Sequence, residues 1–221
     1  MKALLQFLTA PIRLFIKWYL RKPRSFSYNG IKIIVLPGVF HPGFFHSTKI
    51  VLDYLSGMSL EGQSFLELGS GTGIISVSAA LKNANVTAVD ISHVAVQNTI
   101  LNRTDNKVNF TVLHSDLFEN LNPTRFDWIV INPPYYPANP QTEAEYAWYC
   151  GDNHQYFRKL FSQLLKFTHE ETKVLIVLSE VCDLKEIFSF AQNNNLVLEK
   201  IYEKKVWVDG FNYLFLAKSI T

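Results

Sequence analysis

From residue 64 onward, short apolar runs alternate with segments whose apolar positions recur every three or four residues. The runs are SFLELG, NVTAVD, VNFTVLHSD, RFDWIVIN and KVLIVLS, and the periodic segments lie near 73–82, 92–102, 153–168 and 183–194. Continuous apolar runs suit strands buried on both faces, and the longer period suits helices, so the alternation predicts a parallel sheet covered on both sides. The end departs from this pattern. LVLEKIYEKKVWV and FNYLFLAKS flank Asp209-Gly210, which predicts an antiparallel hairpin at the sheet edge.

The first 60 residues are organised differently. Arg13, Lys17 and Arg21 recur every four positions and align on one face of an expected N-terminal helix, with Leu14, Phe15, Trp18 and Tyr19 on the others. SFSY-NG-IKIIVL reads as a hairpin, because Asn29-Gly30 supplies the two positive-φ positions of a tight turn. A loop, PGVFHPGFFHSTK, then leads into a helix carrying Ile50, Val51, Tyr54 and Leu55, with Ser47 or Thr48 as its N-cap. The expected organisation is therefore an N-terminal helix, hairpin and lead-in helix over 1–60, packed on a doubly wound, Rossmann-like α/β domain over 61–221.

With 48% hydrophobic and 18% charged residues, the 221-residue chain has the material for a substantial core. Its net charge of +2 hides an asymmetry. Lys2, Arg13, Lys17, Arg21, Lys22 and Arg24 lie in the first 24 residues and nothing acidic precedes Asp53; over residues 25–221 the other 15 basic residues face 19 acidic ones, a balance of about −4. An overall basic nucleic-acid binder is not indicated, while the basic N-terminal helix suits a polyanion or an anionic membrane surface. Arg13 and Lys17 interrupt its apolar stretch too early for a membrane span, and no small-residue cleavage site follows, so a cytoplasmic protein is expected. Cys150 and Cys182 have no pairing motif, and the six histidines are scattered, so neither a disulfide framework nor a metal site is expected.

Candidate chemistry lies where strands end. ELGSGTG places Glu67, Gly69, Ser70, Gly71 and Gly73 between a strand and a helix, where glycines admit a nucleotide-like cofactor close to the backbone. A dinucleotide fingerprint would need glycine at 74, and residue 74 is Ile. Asp90, followed by Ile91, ends the second strand; its carboxylate suits a ribose diol, or alternatively caps the next helix. Asp116 ends the third, with Leu117 or Phe118 available to cover an adenine ring, or else makes a turn. After the fourth come Asn132, Pro133, Pro134 and Tyr135, a stiff segment that cannot continue the ladder.

In this order, FLELGSGTGIISVSAA, VTAVDIS, HSDLFENL and FDWIVINPPYYP resemble the class I S-adenosylmethionine-dependent methyltransferases whose fourth motif is Asn-Pro-Pro-Tyr. The likeness spans residues 60 to 218 and is nearest to small-domain methyltransferases, among them release-factor glutamine methyltransferases and RNA base methyltransferases. It implies a seven-stranded methyltransferase fold. It also implies S-adenosylmethionine as cofactor, with Glu67, Gly69, Ser70, Gly71 and Gly73 around its methionine part, Asp90 and Ile91 at the ribose, and Asp116 and Leu117 at the adenine. Asn132, Pro133 and Tyr135 would meet a planar NH2, on RNA or on a protein glutamine, Asn132 standing beside the cofactor as well. Glutamine methyltransferases of this type carry a separate N-terminal helical domain, whereas about 60 residues precede the glycine loop here. The rival readings are a non-catalytic cofactor-binding scaffold and an NAD-dependent dehydrogenase; the dehydrogenase leaves Ile74 and the Asn-Pro-Pro-Tyr segment without a role.

Overall fold

A computed structural model describes residues 19–206 and 210–220. The helix expected before residue 19, and Asp209 of the last turn, lie outside them. Strands β1 (Arg24–Tyr28) and β2 (Ile31–Val35) pair antiparallel around Asn29 and Gly30, whose φ values of 48° and 81° are those the tight turn demands. Helix α1 (Ser47–Ser56) follows. His46 occupies its N-cap position and its side chain makes no capping bond to the helix, and Ser47 and Thr48 are buried inside the first turn, so neither is the cap that local sequence suggested. Both line the cavity described below instead of capping the helix.

The main sheet contains seven strands. They are β3 (Ser64–Leu68), β4 (Asn85–Asp90), β5 (Thr111–His114), β6 (Trp128–Ile131), β7 (Lys173–Ser179), β8 (Leu196–Val206) and β9 (Gly210–Ser219). Their spatial order is β5-β4-β3-β6-β7-β9-β8, parallel through β7, with β9 antiparallel between β7 and β8. The helices between them are α2 (Ile74–Leu81), α3 (His93–Asp105), α4 (Gln155–Leu164) and α5 (Leu184–Gln192). Beyond α4 the expected helix tightens into a 3-10 turn over Leu165–Phe167.

Alternate strand residues feed two cores, as the pleat requires. Phe65, Trp128, Val130, Leu175 and Val177 join Ile50, Val51 and Leu55 of α1, Val77 of α2 and Ile31, Ile33 and Val35 around β2. Leu66, Leu68, Ile129, Ile131, Ile176 and Leu178 join Phe157, Leu160, Phe161 and Leu164 of α4 and Ile187 of α5. Helix α3 is the exception. It buries Asn98, Thr99 and Asn102 completely and leaves Ile100 38% exposed, the reverse of an amphipathic helix.

From β3 the chain runs outward through β4 to β5 and then returns to β6 on the opposite side of β3. The strand order therefore reverses at β3 and β6, and the segments leaving β3, β4 and β6 share one crevice beyond the sheet's C-terminal edge. Among the described residues no helix is long and apolar enough to cross a membrane.

Candidate active site

A cavity of about 660 Å3 occupies that crevice. Its floor is the glycine loop, which is held by the neighbouring strand: the N–H groups of Gly69 and Ser70 both donate to the Val89 carbonyl at 2.9 Å. Gly69, Ser70 and Gly71 line the cavity, and φ is 76° at Gly69. A Cβ at Gly69 would meet nothing within 4 Å. Gly73 has a different reason to be glycine. With φ 74° at the N-cap of α2, its Cβ would stand 2.8 Å from Cγ2 of Thr99, so the close approach of α2 to α3 excludes a side chain there, and Gly73 does not line the cavity.

Because a glycine cannot cap α2, Glu67 does so from β3. Its Oε2 accepts the Ser76 N–H at 2.9 Å and the Ser76 hydroxyl. Burial pushes the Glu67 carboxyl from its ordinary 4.5 up to about 8, against the Ser76 hydrogen bonds and with the Asp90 charge adding to the rise. Asp90 is also raised, first by burial; its two oxygens accept N–H groups from Gly71 and Ser92, each at 2.8 Å. The cap of α3 is Ser92, whose hydroxyl accepts from Ala95 N–H, so the capping alternative for Asp90 does not apply. Glu67, Asp90 and Ile91 all line the cavity.

Asp116 and Leu117 form its third wall. Leu117 has φ 54°, unusual for a side chain of its size. The turn is braced by the Ser115 hydroxyl, which donates to the Leu117 carbonyl at 2.9 Å and accepts Asn120 N–H at 3.0 Å. Lys159 of α4 reaches across to Asp116 at 2.5 Å and also pairs with Glu119. Glu67, Asp90, Asp116, Glu143 and Glu180 line the cavity, and Lys159 is the single Lys or Arg among the described residues that does.

The fourth wall is the segment after β6. Asn132, Pro133, Pro134 and Tyr135 all face the cavity, and the Tyr135 hydroxyl donates to Asn132 Oδ1 at 3.3 Å. Tyr136 N–H donates to the Trp148 carbonyl and Cys150 N–H to the Tyr136 carbonyl, both at 2.9 Å, so residues 148–150 clasp the proline segment from outside the sheet. Trp148 then packs on Phe40 and Phe45, with ring centroids 5.3 and 5.1 Å away. Phe45 of the early loop and Thr48 of α1 reach the cavity, whereas Phe44 packs on His41 and neither Phe44 nor His46 lines it. Phe40, Trp148 and Lys159 carry no local motif, and only the fold brings them to the site.

Residues 30–149 match the model of the methyltransferase small domain, a stretch running from the first hairpin through the clasp at Tyr149. The chain belongs to this family. Among methyltransferase relatives, a putative protein N5-glutamine methyltransferase of Methanocaldococcus jannaschii is 38% identical over 118 residues, covering 53% of this chain and 57% of that protein. The release factor glutamine methyltransferase of Geobacter sulfurreducens is 33% identical over 114 residues, covering 51% of this chain and 39% of that protein. The chain thus matches little more than half the length of such relatives, or less. A methyltransferase from Pyrococcus furiosus superposes with TM-score 0.63 at 20% identity over 95% of this chain and 98% of its own. A T. thermophilus 16S rRNA methyltransferase, solved with AdoMet and guanosine, gives 0.62 at 20% identity over 89% of this chain and 50% of its own. At these identities the superpositions establish the fold.

Proposed function

We propose that the chain is an S-adenosylmethionine-dependent N-methyltransferase acting on a planar nitrogen. The observation carrying this reading is that Gly69–Gly71, Asp90 and Asn132–Tyr135, far apart in sequence, line a single cavity. The cavity suits that cofactor. Gly69 opens onto free space where any side chain would intrude, Asp90 retains lone pairs for a ribose diol, and an acidic lining favours a cationic donor. When bound, the cofactor would supply a sulfonium methyl to the acceptor nitrogen, the S–CH3 bond breaking as N–CH3 forms, with S-adenosylhomocysteine leaving with the bond's electron pair and the nitrogen's proton passing to solvent.

The chain's own part is orientation. Asn132 Oδ1 and the Pro133 carbonyl would accept hydrogen bonds from the acceptor NH2, turning its lone pair toward the methyl and stabilising positive charge on nitrogen. Tyr135 fixes Asn132 by its hydrogen bond, and the prolines hold the direction of the backbone carbonyl. No strong base is needed. Glu143 and Glu180 on the wall, with Lys159 already paired to two carboxylates, favour an uncharged acceptor such as a protein glutamine amide over a nucleobase flanked by phosphates. The basic N-terminal stretch is the feature that favours a nucleobase or an anionic surface instead. Buried free thiols at Cys150 and Cys182 suit a reducing cytosol.

The test pairs binding with turnover. Asn132→Ala should keep its affinity for S-adenosylhomocysteine in calorimetry and lose about 100-fold or more in methyl transfer to fractionated lysate. Unchanged turnover would remove Asn132 from the mechanism, and tighter binding of NAD than of S-adenosylhomocysteine by the wild-type protein would overturn the assignment. Label appearing in RNA rather than protein would decide for the nucleobase acceptor.

A further inference from the structure

The polar face of α3 touches two things at once. Toward the hairpin, Asn98 Oδ1 accepts Leu36 N–H at 2.8 Å and Asn98 Nδ2 donates to the Ile34 carbonyl at 2.7 Å. One turn on, Asn102 Oδ1 accepts Ile34 N–H at 2.8 Å, and its Nδ2 donates to the same carbonyl at 2.8 Å. Side-chain amides thus complete the edge of β2 that β1 leaves open, in the manner of a third strand. Toward the glycine loop, Asn102 Nδ2 also donates to the Thr72 carbonyl at 2.8 Å, and Thr99 Oγ1 lies 3.2 Å from the Gly71 carbonyl and 2.9 Å from the Ser70 hydroxyl. Asn98, Thr99 and Asn102 have no exposed surface and do not line the cavity.

Leu36, held by Asn98, is followed at once by the segment whose Gly38, Val39, Phe40, Pro42 and Phe45 form the cavity's outer wall. We propose that Asn98 and Asn102 are positioning residues that lock this wall to the glycine loop, so that the outer wall and the cofactor side are set as one unit. Both ends are bonded to one rigid helix turn, and a shift of either strands buried amide groups with no water to replace the bond. The functional meaning of the link rests on the cofactor reading above; its mechanical existence does not.

Amide hydrogen exchange of the full chain separates the two. Asn98→Ala removes side-chain bonds to Ile34 and Leu36 and none to the glycine loop, yet exchange at residues 69–73 should quicken about tenfold, an ordinary coupling energy, while the β7 amides hold their wild-type rate. Affinity for S-adenosylhomocysteine in calorimetry should fall by a similar factor. Asn106→Ala, which removes an exposed bond to the Lys32 carbonyl and one to the Asn102 main-chain carbonyl but leaves every side-chain bond of Asn98, Thr99 and Asn102 in place, should leave 69–73 unchanged. Faster exchange at 31–36 alone, or equal loosening in the Asn106 variant, would overturn the proposal. Should Asn98→Ala fail to fold, Thr99→Val cuts the loop side instead; by reciprocity it should quicken Ile34 and Leu36, and wild-type rates there would sink the idea. A wild-type chain that binds no S-adenosylhomocysteine would refute the cofactor reading and leave exchange to decide the link.

Discussion

Helices α3 and α4 flank the same sheet and are built in opposite ways. Helix α4 presents Phe157, Leu160, Phe161 and Leu164 inward, each at most 1% exposed, whereas α3 presents Asn98, Thr99 and Asn102. The difference lies in what each helix meets. Helix α4 packs on the side chains of β3, β6 and β7, where only apolar contact is available. Helix α3 meets bare main chain, the open edge of β2 and the carbonyls of Gly71 and Thr72, where an apolar side chain would leave donors and acceptors unpaired. Hydrophobic periodicity reports the first kind of partner and misses the second.

The sharpest way to break this comparison is to remove one anchor from each helix. Phe161→Ala should cost about 3–5 kcal/mol in denaturant unfolding, through lost burial and the cavity left behind. Asn102→Ala should cost about 1–3 kcal/mol, the penalty of leaving buried amide groups without partners, and unlike Phe161→Ala it should loosen the glycine loop in hydrogen exchange. If the apolar replacement at 102 were neutral, α3 would be an ordinary packing helix after all.

A pH-linked effect probes Glu67, which caps α2 and lines the cavity. Because Glu67 is raised in the folded chain from 4.5 to about 8, the folded state binds its proton more tightly than the unfolded one, and stability falls as pH climbs through that window. Glu67→Gln keeps acceptor capacity for Ser76 and removes the titration. Relative to wild type, its Tm should show no pH-linked difference below pH 4.5 and gain a steadily growing advantage as pH rises from 4.5 through about 8. Calorimetric scans across that range check it, and a parallel pair of curves would mean that Glu67 ionises normally.

The strand-helix alternation, the Asn29-Gly30 turn, the glycine loop, Asp90 and Asn132 were legible in the sequence because each is a local signal, a period or a residue type at a strand end. Gly73 was legible as part of the loop but not in its role, since the need for glycine comes from Thr99, which sits 26 positions away on another helix. Phe40, Trp148 and Lys159 were not legible. Each reaches the cavity from an irregular segment or a neighbouring helix, and nothing beside it in the chain marks it.

What the sequence determined by itself was the order of elements and which residue types stand at their ends, because backbone propensity and burial pattern act over a few residues. What only the tertiary structure decided was which surfaces those ends share. Asn98 and Leu36 are 62 positions apart, and only when α3 lies against β2 does an asparagine become the better core residue. Long-range contact selects the partner, and the partner, apolar surface or unpaired backbone, selects the side chain.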